Sequence, residues 1–169
     1  MDGIGLGQDD LTQCANKAKA LDLLIERLES RQILVSRSVQ NYMPQRLNRV
    51  NFSGMTIRDK RVPYIFLAVG DHGDQQEPVG RTIFTLTLMA VLVARRIFKP
   101  VTWDGQSTGT DFGREYDIAG SILMPTGRMN EIAPSSLDDV KTAAGEFKVT
   151  PSAVTVRAMR LGQISHDSA

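Results

Sequence analysis

RTIFTLTLMAVLVARRIF, residues 81–98, runs eighteen residues without glycine or proline, and its middle is apolar on nearly every side. A helix that is apolar all round is one buried on all sides. The alternation in Ile83–Leu88 also fits a strand, but uninterrupted strands of this length are rare and helices of it are ordinary. The continuous apolar run Leu88–Ala94 is only seven residues and is closed by Arg95 and Arg96, against the roughly twenty needed to cross a bilayer. The stretch reads as a central core helix over 81–98, around which the other elements pack.

A chain of 169 residues makes one domain, or one with a small appendage, and is long enough to bury a core. With 20 basic and 19 acidic residues, no whole-chain field draws it to nucleic acid or to a membrane. Charge is uneven locally. Residues 31–61 carry seven basic residues (Arg31, Arg37, Arg46, Arg49, Arg58, Lys60, Arg61) against Asp59 alone, whereas residues 1–30 carry six acidic and three basic. The basic stretch is either an ordinary solvated face or a partner contact. A single cysteine, Cys14, excludes an internal disulfide framework and fits a reducing compartment. The opening MDGIGLGQDD has neither a positive n-region nor a long apolar run, so the expected location is cytoplasmic.

In chain order, residues 1–10 read as a flexible, Gly-rich and acidic start. Leu11, Cys14, Ala15, Ala18, Leu21, Ile25 and Leu28 recur at the three-four spacing of an amphipathic first helix over 11–30. Cys14 sits on its apolar stripe, where a structural thiol is expected rather than a nucleophile. Ser36–Met43 reads as a short second helix stopped before Pro44. Val50–Arg58 and Val62–Val69, parted by Asp59-Lys60-Arg61, read as a β-hairpin, followed by a polar loop over 70–80. His72 in that loop lies between Asp71 and Asp74, but a lone histidine there is expected to be solvated rather than a metal ligand. A short strand is expected at 101–103 and a helix from an Asp111 cap to Met124. Ser136 with Asp139 forms a capping-box variant opening a helix over 137–147. Thr150-Pro151 opens the last helix, which Gly162 closes. The final pair has the spacing of a helix-turn-helix-like corner.

These phrases carry a resemblance. REYDIAGSILMP at 114–125, followed by LDDVKTAAGEFKVTPSAVTVRAMRLGQI at 137–164, resembles the C-terminal half of the ImmA/IrrE-like metallopeptidase family. Phe147, Val149, Thr150, Ala153, Arg157, Leu161 and Gly162 all fall in step with that family's Phe-x-Val-Ser/Thr-Pro turn and terminal phrase. Upstream, Arg81-Thr82-Ile83-Phe84-Thr85-Leu86 resembles the family's opening of its zinc-binding helix. The resemblance covers about residues 11–164. It implies an α+β, zincin-like minimal metallopeptidase fold, mostly helical with a small β-hairpin or sheet, plus the helix-turn-helix-like pair. The implied organisation is a peptidase-like core at 11–125, a subdomain at 126–164 and a tail at 165–169.

The departure from the family is as informative as the match. After Phe-Thr-Leu the family continues with one residue and then His-Glu-x-x-His, where two imidazoles on one helical face ligate zinc and the glutamate activates water. Here those positions are Leu88, Met89, Ala90, Val91 and Leu92, so both ligands are leucine and the base is methionine. The third, acidic ligand aligns with Arg114; Glu115 beside it would sit about 100° around the helix. Hydrocarbon side chains cannot hold zinc or deprotonate water. No cofactor is expected, and Leu88, Met89 and Leu92 are expected to refill the former pocket as packed core.

Neither histidine, His72 or His166, has a nucleophile at useful spacing, and GIGLG at 3–7 lacks the strand and helix of a dinucleotide loop. The expected function is therefore binding. Active members of the family act on helix-turn-helix repressors, relieving repression in mobile elements or after damage. The leading expectation is an inactive pseudopeptidase that binds a protein, of the repressor or toxin-antitoxin type, and regulates by sequestration. The alternative is nucleic-acid binding through the C-terminal pair, with Ser152, Thr155, Arg157 and Arg160 as contacts, joined by Arg31, Arg37, Arg46 and Arg49. Against it, Lys141, Lys148, Arg157 and Arg160 exceed Asp138, Asp139 and Glu146 by only one charge. A structural subunit of a larger assembly is the third reading.

Overall fold

The computed structural model of the chain describes residues 10–38, 52–59, 61–68, 77–102 and 113–164. Among these residues six helices and four strands follow in the order α1 (Lys17–Ser30), β1 (Leu34–Arg37), β2 (Phe52–Ile57), β3 (Tyr64–Leu67), α2 (Val79–Ala94), β4 (Pro100–Thr102), α3 (Gly113–Leu123), α4 (Thr126–Ile132), α5 (Leu137–Glu146) and α6 (Pro151–Arg160). The architecture is mixed α+β. The sheet runs β1-β3-β2-β4, with β1 parallel to β3 and the other two pairings antiparallel.

The central helix is present as expected but ends earlier. α2 buries twelve of its sixteen residues, from Gly80 to Val93, because α1, α3 and the sheet strands β2 and β3 all pack on it. It stops at Ala94, since Arg96 turns into left-handed geometry (φ 58°) and the Ile97 N–H returns to the Leu92 carbonyl at 2.8 Å. With the Arg96 N–H on the Val93 carbonyl, this is a Schellman closure. Glycine usually occupies that left-handed position; here arginine does, which hid the stop from a reading of the sequence.

Two other expectations are corrected. The first helix begins at Lys17 rather than Leu11, because the Asn16 side chain accepts the Lys19 N–H at 2.9 Å and caps the helix there. Leu11 is still buried in the core from the preceding turn. The short helix expected from Ser36 is replaced by β1 through Arg37. Leu34, Val35, Ser36 and Arg37 pair in register with Tyr64, Ile65, Phe66 and Leu67, and this parallel pairing overrides the local pattern. The remainder of that expected helix, 39–43, lies outside the described residues, as does the Asp111 cap.

The hairpin forms as read. The Asp59 side chain accepts the Arg61 N–H at 2.7 Å and the Val62 N–H at 3.2 Å, which bends the chain between β2 and β3. Both C-terminal caps also form: Ser136 and Asp139 make the reciprocal capping box, and the Thr150 hydroxyl accepts the Ala153 N–H at 3.3 Å. Helix α4 was not expected from the sequence; its seven residues follow Pro125 and end at Ala133 in left-handed geometry. One buried cluster runs from Leu11 through α2 to Ala158, so residues 126–164 share the core of the rest.

Candidate functional site

The site begins with a close approach. A Cβ at Gly80, in the first turn of α2, would lie 2.6 Å from the Val149 carbonyl carbon and 3.0 Å from the Thr150 nitrogen. Only glycine lets α2 cross the α5–α6 turn this tightly. The Lys17 ammonium fixes the same turn by donating to the Val149 carbonyl at 2.7 Å. As a result the first turn of α6 stands beside the first two turns of α2.

Between them lies a groove of about 300 Å³. Helix α2 contributes Arg81, Phe84, Thr85 and Leu88, and the sheet contributes Ser53 and Val101. Tyr116 of α3 and Thr150, Ser152, Ala153 and Val156 of the α6 side complete the wall. The Phe84 and Tyr116 rings stack with centroids 6.0 Å apart and planes 27° from parallel. A smaller hollow of about 40 Å³ adjoins it beyond those rings, over Gly120 and Met124. The groove is thus apolar at Leu88, Val101, Phe84 and Val156 and polar at Ser53, Arg81, Thr85, Thr150 and Ser152.

Ser53 reaches the groove through an irregularity of the sheet. Phe52 pairs with Thr102 and Gly54 with Val101, so Ser53 is the extra residue of a bulge on β2. Bulges at sheet edges re-aim side chains in this way. Ser53 is only 2 % exposed and Thr85 only 6 % exposed. Thr87 satisfies its hydroxyl on the Ile83 carbonyl at 2.9 Å; among the described residues, the Ser53 and Thr85 hydroxyls have no such partner.

At the rim, Arg81 Nε lies 3.3 Å from Glu77 Oε1. The Glu77 carboxyl is buried, and burial pushes its pKa up to about 7 against the opposing pull of Arg81. Its Oε1 has no hydrogen bond among the described residues.

The positions singled out from the sequence fall in different places. Leu88 forms groove wall, while Met89 and Leu92 are buried with it in the core. Arg114 is exposed at the start of α3, and the acidic residue that turns inward is Glu115, which pairs with Arg95 at 2.9 Å. The helix therefore presents a carboxylate to the C-terminal end of α2. No group of three histidine, cysteine, aspartate or glutamate side chains able to hold a metal occurs among the described residues. His72 and His166 lie outside them.

The proposed nucleic-acid contacts are divided. Arg157 is corrected from a surface contact to a buried cap: its Nε donates to the Met124 carbonyl at 3.2 Å and an Nη to the Thr126 hydroxyl at 3.1 Å. It thereby fills the open carbonyl end of α3, a role the sequence pattern did not reveal. Arg160 is ion-paired with Asp117 of α3. Ser152 is exposed beside Thr150, and Thr155 returns its hydroxyl to the Pro151 carbonyl at 3.2 Å. Arg37 lies 3.8 Å from Asp22, Arg31 is exposed, and Arg46 and Arg49 lie outside the described residues.

Sequence reasoning missed Ser53, Tyr116 and Val156 as groove residues, and took Arg81 and Thr85 only as parts of a phrase. A serine within an apolar strand and threonines within an apolar helix were the available signals. No helix among the described residues is long and apolar enough to cross a membrane. Compared with family models, curated proteins and solved structures, the chain matches none.

Proposed function

We propose that the chain is a catalytically inactive, ImmA/IrrE-like pseudopeptidase that regulates by holding a protein partner, of the repressor or toxin-antitoxin type, in the groove beside Leu88. The observation that carries this reading is the groove itself. It opens at the position where the resemblance places the first zinc ligand, yet its wall there is leucine, and among the described residues none in its lining is histidine, cysteine, aspartate or glutamate. Such a wall offers no metal ligand and no base for water. What it does offer is a lining of mixed apolar and polar side chains at the lower end of ligand-site volumes, roughly 300–1,000 Å³. Val156, 49 % exposed at the edge, extends the apolar surface outward.

The nucleic-acid reading loses support at its two central residues, since Arg157 is spent on the α3 terminus and Arg160 on Asp117. The test is affinity capture from the native cell with nuclease present, comparing wild type with Val156→Arg. A protein retained by the wild type and lost with the variant supports the groove reading. Equal retention by both contradicts it.

A further inference from the structure

We propose that the polar end of the groove receives the C-terminal carboxylate of the partner, with the partner's last apolar side chain seated on Leu88 and Val101. This deepens the groove reading above and rests on it. Three features converge on an anionic, hydrogen-bonding group attached to a short apolar body.

The first is a pair of hydroxyls carried by largely buried residues. Ser53 and Thr85 face the groove from opposite walls, the bulged strand β2 and the helix α2, and both lack a hydrogen-bond partner among the described residues. Neither oxygen is a fully buried unpartnered atom; each is reached from the groove and is open to an incoming acceptor. Each hydroxyl can donate to a carboxylate oxygen.

The second is the first turn of α6. Pro151 has no N–H, and the Ala153 N–H is taken by the Thr150 hydroxyl. The Ser152 N–H has no acceptor within the helix, and the positive end of the helix dipole opens beside it. Thr150, Ser152 and Ala153 all line the groove, so that end borders the same space as Ser53 and Thr85.

The third is charge complementarity. Among the described residues of the groove wall Arg81 is the one charged side chain, a cation that also pairs with Glu77. Its neighbour Glu77 is withdrawn from solvent behind it. A carboxylate in the groove therefore meets hydroxyl donors, a helix N-terminus and a guanidinium, with hydrocarbon side chains in the same lining. A C-terminal residue carries its carboxylate and its side chain on the same carbon, which matches this short separation of polar and apolar walls. Capture of a C-terminal carboxylate by oriented backbone donors is an established mode of peptide recognition.

The test uses the whole chain and N-acetyl-leucyl-valine as probe, in its free-acid and C-terminal amide forms, followed by amide chemical shifts. The free acid is expected to shift residues 53, 85 and 152 and to bind at least tenfold more tightly than the amide. The double variant Ser53→Ala/Thr85→Val is expected to lose at least tenfold in affinity for the acid while its melting temperature stays level or rises. That pairing separates a ligand site from a structural role, because removing hydroxyls that make no hydrogen bond within the fold does little to weaken it. Equal binding of acid and amide, or no shift at the groove, would overturn the inference. Isovalerate binding as tightly as the dipeptide would assign the site to a small organic acid and overturn it too. None of these results alters the capture experiment with Val156→Arg, which judges the groove reading separately.

Discussion

Met89 packs directly beneath Gly54: a methyl group at Gly54 would lie 2.7 Å from the Met89 Cε and 2.5 Å from the Phe66 carbonyl oxygen. Met89, fully buried in α2, thus supports the sheet from below. Because one of the two clashes is with backbone, a side-chain rotation cannot relieve it. Gly54→Ala is expected to cost about 1–3 kcal/mol by overpacking. Gly145 in α5 is the control, with nothing within 4 Å of an added methyl. Gly145→Ala is expected to stabilise by about 0.5–1 kcal/mol, and urea denaturation of the two variants checks both signs.

The closure of α2 offers an opposite case. Arg96 is exposed and held at φ 58°, a conformation that costs an L-residue about 1–2 kcal/mol relative to its right-handed form. Glycine adopts it freely but gains chain entropy on unfolding, which returns part of the difference. Arg96→Gly is expected to raise stability by about 0.5–1 kcal/mol, read as a shift of the urea midpoint at unchanged slope.

Arg157 distinguishes a structural arginine from a phosphate contact. Lysine keeps the charge but cannot reach the Met124 carbonyl and the Thr126 hydroxyl together in the planar geometry of a guanidinium. Arg157→Lys is expected to cost about 1.5–3 kcal/mol of stability. A phosphate contact would instead tolerate lysine in the fold and show its loss as a salt-dependent fall in nucleic-acid affinity.

Glu77 sets a pH dependence whose sign follows from its raised pKa. From an ordinary value of 4.5 it moves up to about 7 in the folded chain, so the folded state binds more protons across that interval. Its contribution is fully present below about pH 4.5 and is lost as pH rises through about 7. Glu77→Gln keeps the neutral shape at every pH. The stability difference between the variant and wild type is expected to grow in the variant's favour from pH 4.5 to 8, measured by urea denaturation at intervals across that range. A constant difference would contradict the assignment.

How much of this was legible in the chain depended on whether a signal was local. The buried α2, the Asp59 turn, the Ser136–Asp139 box and the Thr150-Pro151 start all follow from short-range chemistry, and each stands where the sequence placed it. β1 does not, because its only reason to be extended is the distant strand at Tyr64–Leu67. The helix stop at Ala94 was obscured because Arg96 takes the left-handed position where glycine is the readable signal, whereas the stops at Ser30 and Glu146 stand at or within one residue of their expected places. Of the groove lining, Leu88 was read as packed core and Ser152 as a contact, and no groove was foreseen. Ser53 enters through a bulge whose partner, Val101, lies 48 residues away, and Arg157 is removed from the surface by the end of α3. Such long-range placements have no signature in local spacing.

The most direct test of the groove as a partner site is hydrogen exchange on the chain with and without its captured protein. The account predicts slowed exchange at residues 52–54, 81–88 and 150–156, which border the groove. Protection confined to α1 and β1, with those three segments unchanged, would contradict it.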